Sequence, residues 1–412
     1  MKILHISTSP TGGAARSCIR LHQGLLNIGI DSKLLTLYRS DSRIVNCFCF
    51  RKATISGKII HKLMEIYMEK HNKFFLKNRP EGFEMFSFPY SPYRIIHHSL
   101  YRESDIINLH WVAGFLDYFS FFSGNKKKII WTLHDMNPFT GGCHYSGDCT
   151  GFQKDCKNCP QLKGTINIDY AYKNLTSKLR ALNRNKHLDL TIISPSKWLF
   201  EQLKSSILFK EFNHYHIPYS LDEHIYQPRD KKFSMDLLGI PSDKKVILFV
   251  SDSINNKRKG YEFLLKALEI LKEKGDYVIC AVGNKSDRNS KSANSYELGK
   301  IYDERLMSVA YSAADIFVIP SLEDNLPNTV LEALMCGTPV VGFPTGGIKD
   351  MIIHNVNGRL CKEISEQSLA CEIEYILNNR EMFNRVEISN QASDKYALKI
   401  QAENYLKVYC LR

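Results

Sequence analysis

Apolar residues recur in short runs, separated by longer stretches with helical spacing, and this alternation predicts the architecture. In the first half, Ile3–Ile6, Lys33–Leu37, Ile106–Leu109, Ile129–Leu133 and Thr191–Ser194 read as strands, and Ala14–Leu26 reads as a helix. The segment Phe212–Pro228 ends this half. A second alternation runs through Val246–Val250, Ile279–Val282, Ile316–Ile319 and Val340–Val341, with a helix over Tyr261–Leu271. Strands alternating with helices imply parallel sheets joined by right-handed crossovers. No sequence repeat links the two halves, which resemble each other in architecture alone. The expected organisation is α/β, with a first domain over residues 1–218, a second over 219–393 and a closing helical stretch over 394–412.

The most informative stretch follows the strand Ile316–Ile319. Pro320 opens an acidic loop, Pro327 and Asn328 lead into a helix with Val330, Leu331 and Leu334 on one face, and Cys336-Gly337 stops it. A second strand then ends at Thr345-Gly346-Gly347. Polar groups gather at the carboxyl end of each strand, where ligands bind in open α/β sheets. Asp324 and Glu332 lie eight positions apart, on the loop and in the first turns of the helix. Two carboxylates beside a helix N-terminus suit a ligand with both sugar hydroxyls and phosphate.

An acid, seven residues and Glu, followed by LEALMCGTPVV and a Gly-Gly loop, resembles the donor site of retaining glycosyltransferases of family 4. The resemblance implies the GT-B fold, two Rossmann-like domains facing each other across a cleft, with the last helix crossing back to the first domain. The family motif usually opens with Glu; a subgroup tied to exopolysaccharide and colanic-acid-type synthesis is similar in having Asp-Asn-Leu-Pro-Asn. Asp324 is taken as the matching position, with Glu323 as the fallback. By this resemblance Asp324, with backbone N–H groups near Asn325 and Leu326, would hold sugar hydroxyls, and Glu332 the ribose hydroxyls.

Lys257-Arg258-Lys259-Gly260 precedes the helix Tyr261–Leu271 and matches the family's Lys-Gly. Lys259 would grip the donor diphosphate, since fixed cations stabilise the charge that develops on a leaving diphosphate. The family's companion Arg is absent, its place taken by Ser251-Asp252, and Arg258 is the candidate to replace it. Gly12 and Gly13 follow the first strand, where glycine lets a backbone approach a ligand at a helix N-terminus. The loop lacks G-x-G-x-x-G, which argues against a dinucleotide. In the family this loop faces acceptor and donor phosphates, and a His at the position of His134 lies near the donor sugar. His134, Asp324 and Lys259 are therefore the candidate catalytic residues, and His110-Trp111 are candidates for the acceptor side.

Cys143, Cys149, Cys156 and Cys159 have the spacing C-x5-C-x6-C-x2-C. In a reducing compartment such a cluster points to a structural metal, and four thiolates favour zinc. His144 is an alternative ligand, and a similar Cys-bearing insert follows the His-Asp loop in the same subgroup. No Asp-x-Asp occurs in the sequence, so no catalytic metal is expected.

Composition adds less. The chain has 412 residues, 44% apolar and 24% charged, as a globular protein has. No apolar run reaches the roughly 18 residues that span a bilayer, and MKILHIS reads as a strand rather than a signal peptide. The expected localisation is cytoplasmic. The net charge is +12, with a basic run over residues 51–79 that also holds Ile59, Ile60, Leu63, Met64, Ile66, Tyr67, Phe74 and Phe75. A helix packing its apolar stripe on the domain is the preferred account; a helix lying on an anionic membrane is the other. Aromatics are not interleaved with the basic runs as a nucleic-acid stacking platform requires.

The expected function is transfer of a hexose-type sugar from a nucleotide sugar to a glycan or lipid-linked acceptor in surface polysaccharide synthesis. An epimerase or hydrolase of the same fold, and a non-catalytic, basic, zinc-bearing binding protein, are the competing readings.

Overall fold

The computed structural model describes residues 1–51, 54–165, 168–251, 256–272, 277–283 and 295–411. Asp252, in the place of the family's Arg, lies outside the described residues, as do Lys52 and Ala53 of the basic run. The chain divides into two compact units, Met1–Pro218 with Gln401–Arg412, and Tyr219–Ile400.

The first unit holds seven strands: β1 (Lys2–Ser7), β2 (Asp31–Thr36), β3 (Cys47–Cys49), β4 (Ile106–Leu109), β5 (Lys128–Thr132), β6 (Leu190–Ser194) and β7 (Asn213–His216). They form one parallel sheet in the order β3-β2-β1-β4-β5-β6-β7. The second unit holds β8 (Lys245–Ser251), β9 (Tyr277–Gly283), β10 (Ser295–Gly299), β11 (Ile316–Ile319), β12 (Val340–Gly342) and β13 (Gly358–Leu360), parallel in the order β10-β9-β8-β11-β12-β13. In both sheets the order reverses beside the first strand, between β1 and β4 and between β8 and β11. Those switch points are where open sheets bind ligands.

Every predicted strand is present, because strands buried on both faces read as unbroken apolar runs. Ile316–Ile319, for example, are all buried. The edge strands β3, β10 and β13 and the half-buried β7 were not predicted: they are short or polar and carry no such run.

The closing segment differs from expectation. The single helix expected over 394–411 is two, Arg385–Tyr396 and Leu398–Cys410. Ala397 between them is extended, and the Leu221 N–H donates to the Tyr396 carbonyl at 2.8 Å. From Gln401 onward the final helix belongs to the first unit, packing Ala402, Tyr405, Val408 and Tyr409 on Ile3, Ile106, Ile130 and Ile193. Two buried bonds fix it: Tyr405 to Thr132 at 2.9 Å, and Asn108 donating to the Tyr409 hydroxyl at 2.7 Å.

The basic run forms the helix Ile55–Phe75, capped by Thr54. The preferred packing account holds for one face only. His61 is buried and Met64 and Phe75 pack on the core, but Ile59, Ile60, Leu63, Tyr67 and Phe74 are exposed. No helix among the described residues is long and apolar enough to cross a membrane.

Candidate active site

In the second unit the sequence-predicted residues converge. Lys257–Lys259 form one 3-10 turn after β8, ended by Gly260 at φ +66°. A Cβ on Gly260 would stand 1.8 Å from the Pro320 carbonyl oxygen, so glycine is needed for the turn to lie against the loop after β11. The Leu322 N–H donates to the Arg258 carbonyl at 2.7 Å, joining the two loops. Lys259 Nζ then donates to Asp324 Oδ2 at 2.7 Å, and Arg258 donates to the same oxygen at 3.2 Å and to the Glu323 carbonyl. Burial raises the Asp324 carboxyl, but Lys259 and Arg258 outweigh it and hold the group below the ordinary carboxylate value. Glu323 is half-buried and offers its backbone; Asp324 offers the buried carboxylate.

The neighbouring glycine loop supports Asp324 from the other side. Gly347 donates its N–H to the Asp324 carbonyl at 2.9 Å, and Gly346, at φ +50°, has no room for a Cβ, which would stand 2.0 Å from that oxygen. Asn325 and Leu326 are buried, with the Asn325 N–H on Asp324 Oδ1 at 3.0 Å. The helix Asn328–Met335 begins at Pro327 without a side-chain cap. Glu332 lies within it, buried, and accepts a hydrogen bond from the Tyr311 hydroxyl at 3.0 Å. Tyr311 is thereby the hydrogen-bond partner of Glu332, a pairing that only the fold reveals.

In the first unit, Gly12 at φ +99° starts the helix Gly13–Asn27, and the loop is exposed. His134, just beyond β5, is buried, and its Nε2 pairs with His110 Nδ1 at 3.1 Å. Asp135 accepts from the Trp111 indole at 2.9 Å, from His144 Nδ1 at 2.6 Å and from the Asn137 N–H at 2.8 Å. A small pocket here is lined by His110, Trp111, His134, Asp135, Tyr118 and Phe88 among others. Ser196 of the Ser194-Pro195-Ser196 turn caps the helix Lys197–Ser205, accepting from Leu199 at 3.0 Å.

The insert carries Cys143, Cys156 and Cys159 into the edge of the first unit's core, beside Phe86 and Phe152. Burial pushes all three thiols up, Cys156 to about 12, with the other cysteines adding to the shift. Opposing this, backbone groups of Gln161 and Leu162 favour the Cys159 thiolate and that of Gly141 the Cys156 thiolate, while Gly151 N–H donates to Cys149 Sγ at 3.4 Å. His144 is not placed to replace a thiolate: one ring nitrogen is on Asp135 and the other on Ser87 Oγ at 2.8 Å. Among the described residues, the metal-binding atoms that all lie within 4.8 Å of one another are those of His5, Cys18 and His110, and the insert cysteines form no such group.

Residues 230–393 match the family described as Glycosyl transferases group 1. An uncharacterized glycosyltransferase of Methanocaldococcus jannaschii is 28% identical over 167 residues, 39% of this chain and 42% of that protein. A protein of Escherichia coli K12 named for colanic acid biosynthesis glycosyl transfer, WcaC, is 23% identical over 294 residues, 68% of each chain. The chain spans 42% and 46% of the length of two curated relatives it matches. Among solved structures, a sucrose-phosphate synthase from Thermosynechococcus elongatus aligns with TM-score 0.67 at 17% identity, over 99% of this chain and 98% of the other. HepE of Anabaena, in complex with UDP and glucose, aligns with TM-score 0.64 at 15% identity over 99% of both. These likenesses establish the fold as GT-B, an α/β architecture of two Rossmann-like parallel-sheet domains. The stretch that matches the Glycosyl transferases group 1 model lies wholly within the second unit, Tyr219–Ile400, which carries Lys259, Asp324 and Glu332.

Proposed function

We propose that the chain is a retaining glycosyltransferase of family 4 that moves a hexose-type sugar from a nucleotide sugar to a glycan or lipid-linked acceptor in surface polysaccharide synthesis. The observation that carries this reading is the convergence of Lys259 and Arg258 on buried Asp324 at the carboxyl end of β11, within the matched domain. Lys259 and Arg258 hold the diphosphate, Asp324 and the backbone near Asn325 and Leu326 hold sugar hydroxyls, and Glu332 exchanges Tyr311 for the ribose. Gly12 and Gly13 let the acceptor and phosphates approach the backbone of the first unit, and His134 orients the sugar. The transition state has oxocarbenium character, as in glycoside cleavage, and the cations stabilise the departing diphosphate. HepE supports a uridine diphosphate donor, and WcaC supports a polysaccharide pathway.

Melting curves with UDP-, GDP- and ADP-sugars test the reading. One class of nucleotide sugar is expected to raise the melting temperature, since a bound ligand stabilises by its affinity, and Glu332→Ala is expected to lose that rise. Transfer with retained anomeric configuration should follow when acceptor is added. No response to any nucleotide sugar counts against the proposal, and donor consumption that ignores acceptor favours the epimerase or hydrolase.

We propose a structural zinc held by the insert, whose four sulfurs do not stand close enough together in this structure to share one ion. Backbone donors favour its thiolates, and Arg79 and Lys178 couple electrostatically to Cys143, Cys156 and Cys159. Four thiolates on a divalent ion leave two negative charges; Arg79 offsets one in full, and Lys178, which burial pushes down to about 7, offsets the other only in part near neutral pH. Closing the shell draws the four sulfurs nearer than they stand. Metal analysis of purified protein is expected to find about one zinc per chain; a metal-free protein of unchanged stability refutes the site.

The exposed stripe of the helix Ile55–Phe75, flanked by Lys58, Lys62, Lys70 and Lys73, suits peripheral contact with an anionic membrane. Sedimentation with phosphatidylglycerol vesicles is expected to carry the protein down at low salt and to fail for Leu63→Glu/Tyr67→Glu. Equal recovery with neutral vesicles would speak against it.

A further inference from the structure

The loop between β5 and the cysteine insert is held by one helix. Tyr170–Asn183 presents Ala171, Asn174 and Lys178 on one face, each about one turn from the next. All three are buried, Lys178 completely. Lys178 Nζ donates to the Asn137 carbonyl and, at 2.9 Å, to that of Thr140. It also lies 5.1 Å from the centre of the Tyr118 ring, a favourable place for an ammonium. Asn174 donates its amide to the Gly141 carbonyl at 2.9 Å. Helix and loop touch closely, since a Cβ on Gly141 would run into the Ala171 carbonyl.

These bonds continue into the pocket of the first unit. Asn137, whose carbonyl Lys178 holds, gives its own N–H to Asp135 Oδ1 at 2.8 Å. The other oxygen of Asp135 accepts the Trp111 indole at 2.9 Å. Trp111, Tyr118, Asp135, Asn137 and Pro138 line the pocket. Lys178 stands behind that lining, so any effect it has on a ligand passes through these residues.

Hydrogen bonding, more than charge, is what the loop draws from Lys178. Burial pushes the lysine down to about 7, yet an amine that has lost one of its three protons still offers two N–H groups to two carbonyls. A side chain of similar length without donors would leave both carbonyls unpaired in a buried place, where each bears its desolvation cost. A loop released from the helix would carry Asn137 away from Asp135, and the carboxylate would no longer be fixed against the indole.

We propose that Lys178 is a positioning residue, with Asn174 beside it: it sets the loop 137–141 and, through Asp135, the orientation of Trp111 toward the acceptor. The presence of an acceptor beside Trp111 rests on the transferase reading above.

Two spectra test the clamp without any substrate. In the wild-type protein, nitrogen-15 spectra of the lysine side chains at pH 7 are expected to show an N–H signal shielded from exchange with water. A buried amine bonded to two carbonyls requires one, and exposed lysines exchange too fast to give it. In Lys178→Met, the Trp111 indole N–H signal is expected to leave its carboxylate-bonded position while that of Trp198 stays. Absence of a shielded lysine signal, or an unmoved Trp111 signal in the folded variant, overturns the proposal. The wild-type spectrum decides the matter should the variant fail to fold.

Kinetics with UDP-glucose as donor and octyl glycosides as acceptors test the consequence. Lys178→Met is expected to lower kcat/KM for the glycoside on the order of tenfold to a hundredfold, as for a misplaced reacting group. The KM for UDP-glucose should stay nearly unchanged, because Lys259 and Asp324 lie in the other unit. An equal loss toward donor and acceptor contradicts the positioning role. A wild-type protein that turns over no donor would count against the transferase reading, whereas the two spectra report on the clamp alone.

Discussion

Lys259→Ala is expected to lower kcat by on the order of 10² to 10³, the loss typical of removing one charge-stabilising donor. In the proposed transfer the leaving diphosphate gains charge as the glycosidic bond breaks, so the missing ammonium would be felt most in the transition state. The fold should survive the change. The Lys259–Asp324 pair is partly exposed, with 31% of the lysine side chain open to solvent, and Arg258 remains on Asp324 at 3.2 Å. Because Asp324 is buried and then keeps Arg258 as its cationic partner, stability is expected to fall by roughly 1–3 kcal/mol. Steady-state kinetics with a thermal melt on the same sample separate the two effects. Near-normal turnover in a folded variant would remove Lys259 from the catalytic set.

Gly260→Ala is expected to do the reverse, acting through structure first. At φ +66° an alanine bears a backbone penalty of about 1–2 kcal/mol. Its Cβ also falls 1.8 Å from the Pro320 carbonyl oxygen, and overpacking of this kind costs roughly 1–3 kcal/mol. The summed loss, roughly 2–5 kcal/mol, should appear in chemical denaturation. Relief of the clash parts the Lys257–Lys259 turn from the β11 loop, so nucleotide affinity should fall with it. A variant of wild-type stability and affinity would show that the two loops need not touch.

The sequence and the structure agree where a pattern is local. Ile316–Ile319 and Val246–Val250 announce themselves as apolar runs, Asp324 and Glu332 keep their eight-residue spacing on the loop and helix after β11, and Lys259 stands beside Gly260. What escaped depends on residues far apart in the chain. Tyr311 meets Glu332 only because the helix Glu304–Ala313 packs beside the helix Asn328–Met335. His5 and His110 are 105 positions apart and meet through the parallel register of β1 and β4. A signal was present, since three neighbouring strands each carry a histidine on or just past their carboxyl half, but strand order had to be known first. The helix Ile55–Phe75 shows the opposite limit. Its periodicity is plain, yet periodicity cannot say how much of an apolar stripe finds a partner.

The carboxylate beside His134 bears on how the proposed retaining transfer would proceed. Asp135 is buried, and its oxygens are engaged by the Trp111 indole, His144 and the Asn137 N–H. Burial raises its pKa, but His144 and these donors outweigh it and keep the group ionised. An anion so fully solvated by fixed donors is a poor nucleophile, because attack would strip away the bonds that hold it. A glycosyl–aspartate intermediate at this residue is therefore disfavoured. Retention would then have to arise from the acceptor oxygen arriving on the same side from which the diphosphate departs.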